Sequence, residues 1–288
     1  MTDFTEQLRR NNMENIFLTY GDASYEAAKA KIVQEAKDTG EFDVTYSYGR
    51  EDLSEELLAS DVIKAKRGGG LWSWKPDVIL STMERAHDGD IIVYCDAGCT
   101  LYQSNEWKRY WRKLEQYDII AQRIYQRTDK WTRKEIIDFF ASNGTSWLSL
   151  CQFQATIIII IISDFTRQFV REWRDLMIEH PEFAMDVPQE QRSEQLPCFI
   201  ENRHDQAIYS ALIYKYLNNP VTRGNIFTQW EHIEDLDPFC KQAIRATRLR
   251  KGEEETSSHK RKAIIKRIIK DYIFKPFYYA PLQWWSNR

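Results

Sequence analysis

The sequence predicts an α/β fold, in which a largely parallel sheet carries helices on both faces and a basic helical extension follows. Segments rich in β-branched and aromatic residues alternate with segments of helical spacing along most of the 288 residues. Six consecutive isoleucines at 157–162 are too few for a membrane-spanning helix, which takes about 20 residues, and indicate a buried strand. Residues 241–288 contain 13 Lys and Arg against 4 Asp and Glu, which sets this end apart.

The elements of the first half follow from apolar spacing and from glycines at the turns. In order, they are a strand at 15–20 closed by Gly21-Asp22, a helix carrying Tyr25, Ala28, Ile32 and Ala36, a strand at 42–48, a loop at 68–76, a helix at 77–86 and a strand at 91–94.

The elements of the second half continue the alternation. They are a helix at 106–116, a strand at 117–122, a strand at 152–162, a helix with Phe165, Phe169, Trp173 and Met177 on one side, and a helix from 204 to about 217. Parallel strands need such long crossover connections, usually helices, so this order favours parallel pairing.

Composition and charge exclude several classes of protein. The chain is 43% hydrophobic and 14% aromatic, which excludes a disordered protein. The net charge of −3 divides into +9 for residues 241–288 and −12 for residues 1–240. Because most of the chain is acidic and has no nucleic-acid motif, we expect no nucleic-acid partner. Five cysteines without a CxxC pair, and a polar N-terminus, favour a reducing cytoplasm.

An acidic residue follows the strand at 91–94. Asp96 should emerge at the carboxyl end of this strand, where α/β sheets bind their ligands. Ala97 and Gly98 let a ligand approach the backbone closely. We therefore expect Asp96 to hold a metal or a phosphate ligand; the alternative is that it only caps the next turn. Cys95 and Cys99 are expected to be small buried residues and not ligands.

A cation lies beside two tryptophans after the glycine-rich segment. Lys75 stands between Trp74 and Pro76, a rigid place from which an ammonium could contact a diphosphate, unless it is a solvated surface lysine. Trp72 and Trp74 suit stacking on a base or a sugar, or packing in the core. Arg67 is a further diphosphate candidate. Because GxGxxG and P-loop motifs are absent, a nucleotide would be held in another way.

The tripeptide His204-Asp205-Gln206 opens a predicted helix. A carboxylate at this position is favoured by capping and by the helix dipole. A rigidly held, ionised carboxylate is also what a general base requires. Asp205 is therefore a candidate base, and a simple N-cap is the alternative.

Four ordered segments, 17–21, 70–76, 89–98 and 204–206, together resemble the nucleotide-sugar-dependent glycosyltransferases of the A-type fold, such as the bacterial surface-polysaccharide enzymes. The resemblance spans residues 14–218. It implies a single Rossmann-like catalytic domain, placed at residues 1–240. It also implies a UDP-sugar donor, with candidate donor-binding residues at Thr19, Tyr20, Gly21, Arg67, Trp74, Lys75, Asp96, Ala97, Gly98 and His204.

The resemblance also implies a divalent cofactor, Mn or Mg, but the acid motif departs from the family pattern. The family usually has Asp-x-Asp, whereas Gly98 stands at the second acidic position. Asp96 would then hold the metal almost alone, or His204 would complete the site. Diphosphate and water can supply most of the ligands such an ion needs.

The stereochemical outcome stays open between two assignments. Asp205 as the base predicts an inverting displacement. In retaining relatives the Gln of the matching Asp-Gln pair lies near the anomeric carbon, which would make Gln206 the catalytic residue. Those relatives also have a His-x-x-Gly-x-x-Lys-Pro-Trp motif, of which Lys275-Pro276-Phe277 is at most a remnant. The absence of this motif favours the inverting assignment.

The segment 241–288 predicts a basic amphipathic helix that binds a membrane or a partner. Its apolar stripe consists of Ile264, Ile265, Ile268, Ile269, Tyr272 and Ile273, with lysines and arginines mostly opposite and aromatic residues after it. These features fit attachment to an anionic membrane surface. The alternative is a helix packed on the catalytic domain.

Together these observations predict a hexosyltransferase that is peripheral on the inner face of the cell membrane. It would move a sugar, galactose as a guess, from a UDP-sugar to a hydroxyl of a glycan or lipid-linked acceptor in bacterial surface polysaccharide synthesis. The alternative is a catalytically silent scaffold protein with the same fold, which the incomplete acid motif keeps open.

Overall fold

The computed structural model describes residues 13–231, 242–247 and 265. The strands are β1 (Asn15–Tyr20), β2 (Val44–Tyr48), β3 (Ile91–Cys95), β4 (Thr100–Leu101), β5 (Ile119–Arg127), β6 (Cys151–Phe153), β7 (Ile157–Ile161), β8 (Ile226–Trp230) and β9 (Ile244–Arg245). The helices are α1 (Glu26–Thr39), α2 (Glu55–Ala59), α3 (Trp74–Arg85), α4 (Glu106–Leu114), α5 (Thr128–Trp131), α6 (Lys134–Phe139), α7 (Asp164–Glu179) and α8 (Asp205–Asn218). A short helical turn, Gly68–Leu71, precedes α3.

A mixed sheet forms the centre of the molecule. Its order is β2-β1-β3-β7-β5-β6, and β8 pairs with β5. Strands β1 to β3 are parallel, as are β5 and β8, but β7 is antiparallel to both β3 and β5. The expectation of a largely parallel sheet therefore holds for β1 to β3 and for β5 with β8. It does not hold for β7, or for β6, which is antiparallel to β5. The isoleucines of β7 are buried on both faces, and such a run looks the same in either direction.

Helices cover both faces of this sheet, as the alternating pattern predicts. One apolar cluster joins the sheet to residues of α3, α7 and α8. The other joins it to α1 and α4, through Ile32, Trp107 and Tyr110. Cys95 and Cys99 lie buried in this second cluster, in agreement with their expected role as small apolar residues.

Two elements differ in their bounds from the prediction. The helix expected at 77–86 begins at Trp74, so that Lys75 and Pro76 belong to its first turn. Proline is tolerated there because the first N–H groups of a helix have no intrahelical acceptor. The strand expected at 152–162 is broken into β6 and β7.

The packed body extends past the predicted domain boundary at residue 240. Strand β9 pairs with β4, and Ala243 and Ile244 are buried against α4 and the sheet. Except for residues 242–247 and 265, the predicted tail 241–288 lies outside the described residues, and so does its predicted amphipathic helix apart from Ile265. In the described ranges no helix has the length and apolarity to cross a membrane.

Candidate functional site

Three charged side chains meet beyond the carboxyl end of β3. Asp96 directly follows β3, Lys75 is the second residue of α3, and Asp205 is the first residue of α8. Lys75 Nζ lies 2.7 Å from Asp205 Oδ2 and 3.4 Å from Asp96 Oδ1. The Tyr94 hydroxyl donates to the same Asp96 oxygen over 2.6 Å.

Burial differs among the three charges. The side chains of Lys75 and Asp205 are 4% and 8% exposed, whereas that of Asp96 is 31% exposed. Asp96 is therefore the member of the group that a ligand can reach most easily. Lys75 and Asp205 form a buried ion pair next to Asp96.

Burial and neighbouring charges shift the pKa values of Lys75, Asp205 and Tyr94. Burial alone would lower the pKa of Lys75, but Asp205 and Asp96 outweigh it and raise that pKa above its ordinary value. Burial raises the pKa of Asp205 to about 6, although Lys75 acts in the opposite direction. Burial, with Asp96 nearby, also raises the pKa of Tyr94, so its hydroxyl remains a donor. One ammonium thus faces two carboxylates.

The backbone just before α3 is strained. Five consecutive residues, 68–72, have φ angles between 54° and 102°, and two of them, Leu71 and Trp72, are not glycine. Side chains rarely adopt this region of φ. At Gly70 a Cβ would lie 2.9 Å from the Cα of Ile63, so a glycine is required there. Strain of this kind persists only where the surrounding structure enforces it, often at functional sites.

His204 is strained in the same way, with a φ of 53°, and immediately precedes Asp205. Its ring stacks on Trp72, with centroids 4.8 Å apart and an angle of 19° between the planes. Its Nδ1 lies 2.9 Å from the Ala184 carbonyl oxygen, and burial lowers the pKa of the imidazole. The Trp72–His204 stack therefore holds the start of α3, which carries Lys75, against the start of α8, which carries Asp205.

Arg67 and His204 both lie close to the Asp186 carboxylate. Its guanidinium is 3.0 Å from the Asp186 carboxylate, and both side chains are 55% exposed. The other ring nitrogen of His204, Nε2, is 3.7 Å from the same carboxylate. Between His204 and Asp96, both of which the structure describes, there is no ion pair or hydrogen bond.

The aromatic candidates pack against each other. Tyr20 and Trp74 stack with centroids 4.2 Å apart, and both are buried. The Trp74 indole donates to the Gly68 carbonyl over 2.9 Å. Burial raises the pKa of Tyr20 to about 12. One face of each ring is therefore occupied by the other ring.

Thr19 and Gly21 hold the end of β1 in place. The Thr19 hydroxyl is fully buried and donates to the Cys95 carbonyl over 2.8 Å, which ties β1 to β3 beside Asp96. A Cβ on Gly21 would lie 2.6 Å from the Cβ of Tyr25, so the turn into α1 excludes a side chain there.

Gln206 belongs to a network of amides that the sequence pattern does not indicate. Its Nε2 lies within 2.9 Å of the Gln126 side-chain amide and 2.6 Å from Gln152 Oε1. Gln152 in turn donates to Thr132. Gln206 Oε1 accepts no hydrogen bond from the described residues and remains available to a ligand.

The loop after Asp96 is held by the C-terminal segment. Ala97 is buried, and the Gly98 carbonyl accepts a hydrogen bond of 2.9 Å from the Thr247 hydroxyl. Thr247 also contacts the Thr100 hydroxyl at 2.9 Å. Thr247 is a residue that sequence reasoning missed, because 149 residues separate it from Gly98.

The donor set fits a divalent cation only in part. Asp96 Oδ1 is engaged by Tyr94 and Lys75, whereas Oδ2 accepts no hydrogen bond from the described chain. The described residues contain no group of three or more His, Cys, Asp or Glu side chains suited to a metal. Mg²⁺ commonly keeps several waters and takes phosphate oxygens as ligands. The site therefore suits a cation that arrives with a diphosphate, not one held by the protein alone.

No protein-family model matches the chain, and no curated protein matches it significantly. The chain is similar to solved structures of glycosyltransferases. The galactosyltransferase LgtC, in complex with donor and acceptor sugar analogues, is 13% identical over 75% of this chain and 87% of its own, with a TM-score of 0.37.

Two further structures are similar to this chain. A glycosyltransferase involved in glycosylation of the major capsid of PBCV-1 is 10% identical, covering 75% of this chain and 82% of its own, with a TM-score of 0.36. Mouse xyloside xylosyltransferase 1 is 9% identical, covering 71% and 83%, with a TM-score of 0.40. Values this low assign neither a family nor a substrate to this chain.

Proposed function

We propose that this protein is a glycosyltransferase that moves a hexosyl unit from a UDP-sugar to a hydroxyl group of a glycan or lipid-linked acceptor. The observation that supports this most directly is the Lys75 ammonium between Asp96 and Asp205, at the carboxyl end of β3. This edge of an α/β sheet is where such folds bind nucleotides.

The donor diphosphate would bind next to Asp96. A divalent ion bound through Asp96 would offset the charge of the diphosphate. Lys75 adds a fixed positive charge behind it, and Gln206 Oε1 can accept a hydrogen bond from a sugar hydroxyl. Tyr20 and Trp74 would form the wall of the site next to the nucleoside.

The chemical step would use Asp205 as the base. Its carboxylate accepts the proton of the acceptor hydroxyl, the new bond forms between that oxygen and the anomeric carbon, and the bond to the diphosphate breaks as UDP leaves with the electron pair. A pKa of about 6 suits this role, because the carboxylate is ionised at pH 7 yet more basic than an exposed aspartate.

The composition of the C-terminal segment supports a proposal for the acceptor and the location. A basic, amphipathic and aromatic segment at 248–288 fits attachment to the inner face of a cell membrane. We propose that the acceptor belongs to bacterial surface polysaccharide synthesis and is carried on a membrane lipid.

Donor binding and transfer can be tested separately on three variants. Calorimetry would titrate UDP in Mn²⁺ and in EDTA, and NMR would follow a set of UDP-hexoses incubated with and without acceptor sugars. We expect Asp96→Asn to weaken UDP binding at least tenfold. Asp205→Asn should keep UDP binding and lower turnover by roughly 100-fold or more, the usual contribution of a general base. Asp61→Asn, at an exposed ion pair with Lys64, is the matched control.

Three outcomes are informative. The absence of UDP binding in both Mn²⁺ and EDTA would contradict the proposal and favour the silent scaffold. Unchanged turnover in both Asp96→Asn and Asp205→Asn would show that the site is elsewhere. Retention of the anomeric configuration in the product would move the catalytic role from Asp205 to Gln206.

A further inference from the structure

The outer surface of α4 is strongly basic. Trp107, Tyr110 and Leu114 point into the core from one side of this helix. The opposite side carries four cations, Lys108, Arg109, Arg112 and Lys113. A concavity of about 480 Å³ opens on this surface, and its lining residues are Arg109, Arg112, Lys113 and Gln116.

Two of the lining cations have no carboxylate partner among the described residues. Arg112 Nε contacts only the Lys108 carbonyl of its own helix, at 3.3 Å. Lys113 Nζ lies 4.2 Å from the centroid of the Phe227 ring. Other cations of the body are paired with carboxylates, for example Lys134 with Asp138 and Arg174 with Glu56. Arg112 and Lys113 therefore present positive charge that no described carboxylate compensates, in a chain whose net charge is −3.

Aromatic side chains lie next to the basic surface of α4. Tyr117 and Phe227 are partly exposed and lie with their ring centroids 5.2 Å apart, next to Lys113. Aromatic residues favour the headgroup region of a bilayer, and cations favour an anionic leaflet. This combination fits a lipid surface better than a soluble anion.

The described part of the C-terminal segment lies against α4. Residues 242–247 pack beside the start of α4, where the Ala243 amide donates to Glu106 over 2.5 Å. Thr247 is the last residue of that segment. The chain that continues from it, residues 248–288, contains eleven Lys and Arg against four Asp and Glu. The described segment 242–247, which precedes the basic part of the sequence, therefore contacts the helix that carries the basic surface.

We propose that the basic surface of α4, formed by Arg109, Arg112, Lys113 and Gln116, docks on the phosphate headgroups of an anionic bilayer. It is a second contact of the folded body, in addition to the tail. Two contacts hold the body in one orientation, which a single tail would not do. The proposal does not depend on glycosyl transfer, because none of the candidate site residues Lys75, Asp96 and Asp205 lines this surface.

The test is vesicle binding by the full-length protein. Sedimentation would be measured with vesicles of neutral phosphatidylcholine and of phosphatidylcholine with 30% phosphatidylglycerol (about one anionic lipid in three), at several salt concentrations. The variant is Arg112→Ala/Lys113→Ala. The control is Lys134→Ala/Arg171→Ala, which removes two positive charges from α6 and α7 on the other face of the sheet. Circular dichroism and thermal unfolding would confirm that both variants are folded.

We expect Arg112→Ala/Lys113→Ala to bind anionic vesicles at least tenfold more weakly than the wild type, since each basic residue at such a surface contributes about fivefold. The control should bind as the wild type does, and binding should fall as salt rises. Equal loss in the two variants would overturn the proposal, as would equal binding to neutral vesicles. Full competition by millimolar inorganic phosphate would also overturn it, by showing a site for a soluble anion.

Discussion

Lys75 keeps a positive charge in a place where burial disfavours it. Two carboxylates, at 2.7 Å and 3.4 Å, supply the compensation. Breaking a buried pair by removing one partner costs about 3–5 kcal/mol, so each of these side chains depends on the others. The strained residues Trp72 and His204 fix the backbones on which Lys75 and Asp205 lie.

The pH dependence of transfer tests the role of Asp205. With a pKa raised to about 6 by burial, the carboxylate is protonated below that pH and can no longer accept a proton. We expect the transfer rate to rise about tenfold per pH unit up to about 6 and then level off. Steady-state rates measured between roughly pH 4.5 and 8 would give this profile, because the range extends to both sides of the raised pKa of Asp205.

The controls for this profile are Asp205→Asn and Asp61→Asn. The residual activity of Asp205→Asn should lack the rise near pH 6, whereas Asp61→Asn should keep it. If the rise persists in Asp205→Asn, another group titrates there, and Asp205 is not the base.

At the scale of elements, β9 decides where the folded body ends. Its pairing with β4 places Ala243 and Ile244 in the core, and Thr247 holds the loop of Gly98. Sequence composition placed the boundary before this segment, because the basic residues begin there. Local composition cannot show that a two-residue strand pairs with a partner more than 140 residues earlier, as Ile244 does with Leu101.

Truncation distinguishes the two boundaries. A chain ending at residue 240 should melt roughly 5 °C or more below a chain ending at residue 247. Burial of one isoleucine contributes about 1.5–3 kcal/mol, and each kcal/mol shifts the melting temperature of a protein this size by about 2–4 °C. Calorimetric melting would measure the difference, and equal melting temperatures would show that β9 adds nothing to the body.

At the scale of the whole molecule, charge is distributed unevenly along the chain. By sequence, residues 1–240 carry a net charge of −12 and residues 241–288 a net charge of +9. An anionic surface would therefore attract the C-terminal segment and the cations of α4 and repel most of the body. Such a division favours binding in a single orientation.

Neutralising the tail tests its share of this attraction. We expect Lys260→Gln/Arg261→Gln/Lys262→Gln to weaken binding to anionic vesicles tenfold or more, since each basic residue at an anionic surface contributes about fivefold. UDP binding by the same variant separates a role at the membrane from a role in donor binding. Cosedimentation and calorimetry would measure the two effects. Lys64→Gln/Lys134→Gln/Arg171→Gln is the charge-matched control, and equal weakening by both variants would exclude a specific role for the tail.

Much of the secondary structure was predictable, and the sheet order was not. β1, β3 and the helices after them follow from local spacing, as does the position of Asp96 after a strand. The direction of β7 was missed because its run of isoleucines, four of them buried, packs equally well either way. The amides around Gln206 were missed because a glutamine has no local pattern that marks a partner.

The sequence by itself determined the alternation of strands and helices, the acid after β3, the tripeptide that begins α8 and the basic end of the chain. Only the tertiary structure decided that Lys75 joins Asp205 across 130 residues, that Thr247 holds Gly98, and that β7 runs against its neighbours. The reason is physical: backbone conformation responds to the nearest few residues, whereas the meeting of distant charges depends on which buried arrangement satisfies all of them at once.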